Sequence, residues 1–289
     1  MSNRDDLREA ADALAGSVVV CGLGAYADRL AGVTFRDARS ATVSALLAEA
    51  SDDSAGGSPP AAVVVALDPE TVGEETDPLR ALSGLGAFTV AVVPAGAADG
   101  DALPAVQDAV DAVLLAEGDA VEAAIRAFLA TVQEPGFVNI DLTDAETVLS
   151  SGVAALGTGT ADRDAPGTAV DAAFGGLPEG VDARRASAVL VDVVVDPDTS
   201  IAAATDVIVA VRERIGADAN VIWGGTVDEA AAVELAVRLV VAGVSHAPPL
   251  AAGDPCPRCG EPLSTYRFGA RETLSCDGCG YSGIVVRRD

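Results

Sequence analysis

The segment "GFVNIDLTD", residues 136–144, gathers Asn139, Asp141 and Asp144 around a short apolar stretch. A helical pattern over residues 118–133 precedes it, and a Pro-Gly pair ends that helix. The segment is therefore predicted to form a loop between two helices. Carboxylates on such a loop either cap the following helix or take part in chemistry on a bound molecule.

The local interpretation is a helix cap. Thr143 or Asp144 stands before the next helical pattern, and Glu146 then falls in the first turn of the helix. This interpretation needs no ligand and no partner. The residue types alone leave both capping and chemistry open for Asp144.

Short β-branched runs alternate with Ala-rich helical patterns on both sides of this segment. These runs predict strands at 17–23, 61–67, 87–93, 111–115, 187–195, 219–224 and 235–243. Strands that alternate with helices favour a mostly parallel sheet covered on both faces. We therefore expect an α/β fold with a Rossmann-like parallel-sheet domain and its connecting helix over 1–134. A second α/β domain is expected over 135–247.

The composition indicates a folded, strongly acidic protein. The chain has 289 residues and is 50% hydrophobic, with 44 acidic side chains against 18 basic ones, all of them arginine. The formal charge of −26 suits a salt-rich cytoplasm, where the screening length at molar salt is about 3 Å and surface repulsion costs little. This charge argues against broad nucleic-acid binding by the main body.

No segment of the sequence predicts insertion into a membrane. Residues 1–16 give a polar helical pattern rather than a basic start followed by an apolar core. The longest apolar runs, such as 236–244, are far shorter than the roughly 20 residues needed to span a bilayer. We therefore expect a cytoplasmic protein without a membrane span.

The C-terminal residues 248–289 are predicted to be a Pro-rich linker and a zinc ribbon. Two C-x2-C pairs enclose sixteen residues and supply four thiolates, those of Cys256, Cys259, Cys276 and Cys279. Four thiolates complete a tetrahedral Zn²⁺ site with no open position, so the metal is expected to be structural. Two disulfides are the alternative, which a reducing cytoplasm disfavours.

The predicted ribbon differs in charge from the rest of the chain. Residues 253–289 contain five arginines and five acids, so this part is neutral. Tyr266, Phe268 and Tyr281 lie among the arginines. The combination is compatible with stacking on nucleic-acid bases, with docking on a protein, or with a small apolar core of the ribbon itself.

Gly22 and Gly24 follow the first predicted strand and form a G-x-G turn. A strand, such a turn and a helix can place backbone amides on a phosphate. The third glycine of the dinucleotide motif is absent, and the chain contains no lysine for a Walker-type loop. The turn is therefore a weak, degenerate candidate for nucleotide binding, and a tight βα turn explains it equally well.

The segment at 136–144 resembles the loop that follows the long central helix in the tubulin/FtsZ superfamily. Further resemblance lies in "GLGAFTVAVV" (84–93), "GVAALGTGTADRDAPGTAVDAAF" (152–174), "ANVIWGGTVDEA" (219–230) and "AVRLVVAGV" (236–244). The likeness covers residues 17–245 and is most specific in the second half. The chain is identified on these motifs as a divergent FtsZ-like protein, and the resemblance implies the family's two α/β domains.

One departure from the family concerns the nucleotide. Members that hydrolyse GTP carry a GGGTGTG-type loop after a strand like "AAVVVAL", because glycine amides must approach the phosphates closely. This chain has "DPETVGEETDP", residues 68–78, with five carboxylates at that place. Repulsion from these acids predicts that the chain does not bind GTP tightly.

The resemblance implies a role for the acidic loop on a neighbour. In this family one subunit binds the nucleotide and the next subunit inserts the carboxylate loop that polarises the attacking water. Asn139, Asp141 and Asp144 would then act in trans on a partner's nucleotide. We expect a GTPase-deficient FtsZ-like protein that modulates or co-assembles with filaments of cell division or cell shape. Its expected partner is an FtsZ-type protein or a second copy, and by itself it is not expected to be an enzyme.

Two other functions remain open on the sequence. In the first, the FtsZ-like body is an inert scaffold and the zinc ribbon docks nucleic acid or protein. In the second, the chain is an enzyme that uses the G-x-G turn for another nucleotide.

Overall fold

The computed structural model describes residues 18–36, 38–51, 59–68, 72–97, 102–150, 152–228, 233–244, 252–256, 259–268, 271–280 and 282–284. The chain forms two compact units, Met1–His246 and Ala247–Asp289. The helical pattern predicted at 1–16 and residues 248–251 of the predicted linker lie outside the described residues.

A nine-stranded sheet is the frame of the first unit, with the strand order β2-β1-β3-β4-β5-β6-β9-β7-β8. The strands are β1 Val18–Gly22, β2 Ala38–Ser40, β3 Ala62–Ala66, β4 Phe88–Pro94, β5 Ala112–Ala116, β6 Ala154–Ala161, β7 Ala188–Val195, β8 Asn220–Val227 and β9 Leu235–Ala242. Neighbouring strands are parallel except at β9, which runs antiparallel to β6 and β7. The predicted α/β fold with a mostly parallel sheet is confirmed.

Helices cover both faces of the sheet. They are α1 Ala25–Ala31, α2 Val43–Ser51, α3 Val72–Ser83, α4 Ala102–Gln107, α5 Val121–Gln133, α6 Leu142–Leu149, α7 Pro166–Gly175 and α8 Ile201–Arg212. One core cluster includes residues of α1, α5 and α6, and the other includes residues of α2, α3, α4, α7 and α8. Both clusters draw on the strands, because β1, β3, β5 and β7 are buried along their whole length.

One sheet runs through both of the predicted α/β domains. Strands β5 and β6 pair in parallel at Leu114 with Ala154 and at Leu115 with Ala155. The domain boundary at residue 135 stays a prediction.

The glycines of β6 explain why the strand contains an A-x-x-G-x-G pattern. A Cβ atom on Gly157 would overlap the carbonyl oxygen of Ala173, and one on Gly159 would overlap the carbonyl oxygen of Ala169. Both alanines belong to α7, so these glycines allow the helix to lie directly on the strand.

The second unit contains a small antiparallel sheet with the order β10-β11-β12. Its strands are Ser264–Phe268, Arg271–Ser275 and Ser282–Ile284. The side chains of Tyr266, Phe268 and Tyr281, which the sequence suggests for stacking or docking, lie outside the described residues.

Candidate functional site

The loop between α5 and α6, residues 134–141, is called the carboxylate loop below. Its backbone is bound to the edge of strand β8. Val138 N–H donates to the carbonyl of Gly225 at 3.3 Å, and Gly225 N–H donates back to the carbonyl of Val138 at 2.9 Å. A Cβ atom on Gly136 would overlap the Gly225 carbonyl oxygen, so only glycine allows this close approach.

Two side chains of the carboxylate loop rest on two glycines of β8. The Ile140 side chain, which is buried, lies where a side chain on Gly224 would begin, with Ile140 Cγ1 at 2.6 Å from that position. The Phe137 ring occupies the corresponding space at Gly225. Gly224 and Gly225 of β8 therefore leave the space in which the side chains of Ile140 and Phe137 pack, and this packing fixes the loop. We call these two glycines the seat of the loop.

The three polar side chains predicted from the sequence are brought together at the start of α6. Asn139 Oδ1 accepts a hydrogen bond from Gly136 N–H at 2.7 Å and closes the turn. Asp141 Oδ1 accepts from Asp144 N–H at 3.0 Å, and Asp144 Oδ2 accepts from Asp141 N–H at 3.2 Å. The second oxygen of each carboxylate accepts no hydrogen bond from the residues that the structure describes.

The helix cap differs from the prediction. Asp141, rather than Thr143 or Asp144, is the N-cap of α6, and Asp144 completes a reciprocal capping box. Glu146 then lies beyond the first turn. The reason is that Asp141 has extended backbone angles that end the loop, and the helix begins directly after it at Leu142.

Four exposed hydrophobic side chains lie toward the same edge of the sheet, and we call them the edge patch. Its members are Phe137, Ile201, Val227 and Val233, which are 40–70% exposed. Val227 is the last residue of β8, and Ile201 is the first residue of the helix that follows β7. Val233 lies just before β9, which starts beside the end of β7 because the two strands are antiparallel. These three residues therefore lie at the carboxyl ends of β7 and β8. Phe137 is included because its ring packs on Gly225 of β8. These are four of the five exposed large hydrophobic residues in the described part of the chain.

A network of charged side chains extends to Glu134, the first residue of the carboxylate loop. Arg238 Nη1 on β9 lies 2.8 Å from Asp192 Oδ2 on β7 and 3.1 Å from Glu134 Oε2. Arg36 approaches the other oxygen of Glu134 at 3.4 Å. This network was not predicted from the sequence, although single charged residues inside the apolar runs "SAVLVDVVV" and "AVRLVVAGV" could have indicated it.

The G-x-G turn has a structural explanation. Gly22 ends β1, and a Cβ atom there would overlap the carbonyl oxygen of Tyr26 in α1. Gly24 has a φ angle of 54° and is the N-cap residue of α1. Both glycines therefore serve the tight turn and the close packing of α1, and their predicted contact with a nucleotide remains untested.

The carboxyl ends of β3 and β5 place acids beside this turn. Burial raises the pKa of Tyr26, Arg29 opposes the rise, and the carboxylates of Asp68 and Asp119 add to it. Asp68 follows β3 and Asp119 follows β5, so both act on the same phenol at one edge of the parallel strands. Most of the acidic segment 68–78 belongs to α3 rather than to a loop, and residues 69–71 lie outside the described part.

The four predicted metal ligands come together in the second unit. All four Sγ atoms lie within 4.8 Å of one another, with 3.6 Å between those of Cys256 and Cys279 and 3.4 Å between those of Cys259 and Cys276. Tetrahedral zinc with bonds of about 2.3 Å places its sulfurs about 3.8 Å apart, so the cluster fits such an ion. No disulfide joins these four cysteines, in contrast to the alternative of two disulfides.

Each cysteine pair is followed by a glycine in the left-handed region. Gly260 has a φ angle of 79° and donates to the carbonyl of Cys256, and Gly280 has a φ angle of 70° and donates to the carbonyl of Cys276. The two turns have the same hydrogen bond, which closes each pair into a knuckle.

None of the helices in the described residues has the length and apolar character that crossing a membrane requires.

Comparison with known proteins locates the similarity mainly in the second half of the chain. Residues 152–245 match the model of the FtsZ family, C-terminal domain. Cell division protein FtsZ 1 of Halobacterium salinarum is 36% identical over 122 residues, which is 42% of this chain and 31% of that protein. FtsZ 1 of Methanocaldococcus jannaschii is 29% identical over 123 residues, or 34% of its length. The matched segment thus spans about a third of these relatives.

Solved structures share the fold over most of the chain. An empty FtsZ dimer of M. jannaschii superposes with a TM-score of 0.67 at 18% identity, covering 89% of this chain and 100% of that one. A GTPγS-bound protofilament of CetZ2 from Haloferax volcanii gives 0.56 at 19% identity, covering 84% and 88%. At these identities the comparison establishes the fold.

Proposed function

We propose that this divergent protein of the tubulin/FtsZ fold binds one end of an FtsZ-type filament and presents its carboxylate loop to the nucleotide of the neighbouring subunit. It would do so without binding GTP tightly itself. The relatives are named as cell division proteins, and one structural neighbour is a nucleotide-bound protofilament. The process we assign is therefore the control of filaments in cell division or cell shape.

The observation that carries this proposal is a contrast between two edges of the sheet. The carboxylate loop is fixed on β8 by the Val138–Gly225 hydrogen bonds, and its capping box leaves one oxygen of Asp141 and of Asp144 available. At the edge where a nucleotide would bind, Asp68 and Asp119 repel anions. A subunit of this kind can complete a neighbour's site while offering no site of its own.

The edge patch supports docking on a partner at the carboxylate loop. Hydrophobic side chains that are 40–70% exposed are costly in a chain of charge −26, whose surface otherwise favours hydrated carboxylates. Phe137 belongs to both features, so a partner that covers the patch also meets the loop. At high salt, where charge is screened, apolar contact is the natural source of affinity.

Co-sedimentation with filaments tests the proposal. The chain is expected to pellet with GTP-assembled FtsZ 1 of H. salinarum at molar salt. Ile201→Asp should weaken binding by about 10- to 100-fold, because a buried Ile contributes about 1.5 to 3 kcal/mol. Val209→Asp is the matched control, since Val209 is exposed on the same helix but outside the edge patch. Equal losses for both variants, or no pelleting of the wild type, would contradict the proposal.

A thermal-shift measurement on the chain alone completes this experiment. Ligand at 100 times its Kd adds about 2.7 kcal/mol of stability, which raises the melting temperature measurably. We expect no shift with millimolar GTP and Mg²⁺. A clear shift would mean that the chain has a nucleotide pocket of its own.

For the second unit we propose a structural Zn²⁺ held by Cys256, Cys259, Cys276 and Cys279. Bound zinc would supply no catalytic chemistry, because four thiolates fill its coordination sphere. The neutral charge of residues 253–289 suits docking of a protein or nucleic acid better than the acidic body does. This docking remains the alternative source of function.

A further inference from the structure

Asp192 has an unusual place in the fold. Among the residues that the structure describes, it is the one charged side chain in the buried class, and it interrupts a strand that is otherwise apolar. Burial raises the pKa of Asp192 to about 6, although Arg238 opposes the rise. Above that pH the carboxylate is charged and needs its partner.

Arg238 supplies this partner from the neighbouring strand. The two residues are directly opposite in the antiparallel pairing of β7 and β9. The same Nη1 atom of Arg238 that contacts Asp192 also contacts Glu134, the C-cap residue of α5. Thr131, one turn earlier in α5, places its hydroxyl 3.4 Å from Asp192 Oδ2. The last turn of α5 is therefore tied to the middle of the sheet mainly through Glu134, because the Thr131 hydroxyl also donates to the carbonyl of Ala127 at the shorter distance of 3.0 Å.

A buried ion pair adds little net stability to a sheet. Removing both charges from water costs about as much as their attraction returns, and apolar side chains of the same size often serve as well. A buried ion pair is more readily explained when it selects one geometry out of several that the fold could adopt. Here the geometry it fixes is that of α5 at the residue from which the carboxylate loop begins.

We propose that Asp192 and Arg238 form a clamp that positions the carboxylate loop by holding Glu134 at the end of α5. Arg238 is thus a positioning residue for the role given to the loop under the proposed function, on which the inference rests. Arg36 adds a second contact to Glu134 from the opposite side.

The space beside the clamp gives α5 room to move when the clamp is removed. A cavity of about 310 Å³ lies along the last turns of α5, and its lining includes Arg36, Gln133, Glu134 and Arg238. Close packing therefore does not fix the end of α5 on the side of the cavity, so polar contacts must fix it there.

A double variant separates the clamp from the stability of the fold. Arg238→Met alone would leave Asp192 buried without its partner, which would destabilise the protein for reasons unrelated to the loop. Asp192→Val together with Arg238→Met removes both charges and changes the summed side-chain volume little, so the protein is expected to fold with a near wild-type melting temperature. Arg214→Met is the matched control, because its ion pair with Asp171 lies between α7 and α8 and does not involve the loop.

Hydrogen exchange of the loop amides is the measurement. The N–H groups of Gly136, Val138 and Asp141 donate the hydrogen bonds that hold the loop. In the full-length double variant these amides should exchange at least tenfold faster than in the wild type, while the amides of β6 and α7 keep their rates. Loop rates equal to those of wild type and of Arg214→Met would overturn the clamp.

The same variant distinguishes the clamp from the proposed function. Faster loop exchange together with an unchanged effect on a partner's GTP turnover would support the clamp and contradict the role of the loop. Unchanged exchange would overturn the clamp whatever the turnover.

Discussion

Loss of the metal is expected to unfold the second unit, which is the largest effect of any single change considered. Its described apolar core consists of Cys256, Leu263, Leu274 and Cys276, with Cys279 packed against it. A unit of about 40 residues rarely buries enough apolar surface to offset its conformational entropy without a metal or another cross-link. Structural zinc contributes about 10 to 16 kcal/mol of apparent binding free energy at neutral pH, so folding and metal binding should be one event.

Metal analysis and hydrogen exchange measure this outcome. The wild type should contain one zinc ion per chain, and Cys276→Ser should contain none, with loss of protection in β10 and β11. Cys21→Ala is the control: Cys21 is buried in β1, burial raises its pKa to about 12, and its removal should leave the zinc content at one. A metal-free wild type with a protected ribbon would contradict the proposed site.

The zinc-free variant also separates the two candidate functions. If the FtsZ-like body carries the function, Cys276→Ser should still pellet with filaments. If the ribbon carries it, pelleting should be lost although the first unit remains folded.

Gly136→Ala is expected to release the carboxylate loop from β8. The added methyl group would overlap the carbonyl oxygen of Gly225, which belongs to the backbone of a strand and cannot move aside. Loss of the Val138–Gly225 hydrogen bonds and the strain of overpacking should together cost about 1 to 3 kcal/mol.

Urea denaturation measures this change, with Gly167→Ala as the control. Gly167 lies in α7 with open space around its Cα, and alanine there should stabilise the helix by about 0.5 to 1 kcal/mol. The two variants are thus expected to shift the midpoint in opposite directions. Equal midpoints for Gly136→Ala and wild type would mean that β8 does not hold the loop.

The order of strands and helices could be predicted because it depends on local patterns. Long β-branched runs such as 187–195 gave strands with ends within one residue of the structure. Strand β2, Ala38–Ser40, was missed because three residues with an exposed arginine carry no apolar pattern. Strand β6, Ala154–Ala161, was not found from β-branched runs because its glycines interrupt them. The start of α6 was placed too late because a capping residue is defined by backbone angles, and several polar residues were available.

The parts of the site that were not predicted depend on contacts between distant residues. Asp192 and Arg238 are 46 residues apart and meet because β9 inserts between β6 and β7. The seat of Gly224 and Gly225 likewise depends on the loop reaching the edge of β8. Cysteine spacing needed no such information, because four thiolates of one short segment determine their own arrangement.

We expect Asp141 and Asp144 to act on a partner's nucleotide rather than to serve only as helix caps. Asparagine separates the two roles, because it caps a helix as well as aspartate does but carries no charge. Asp141→Asn and Asp144→Asn should therefore fold normally while losing the carboxylate that would orient water.

The most direct measurement is the GTP turnover of FtsZ 1 from H. salinarum, below the concentration at which it assembles alone, with this chain added at molar salt. The wild-type chain should raise turnover, and Asp141→Asn should abolish the rise without weakening co-sedimentation. An Asp141→Asn chain that raises turnover as much as the wild type would show that the loop is only a cap.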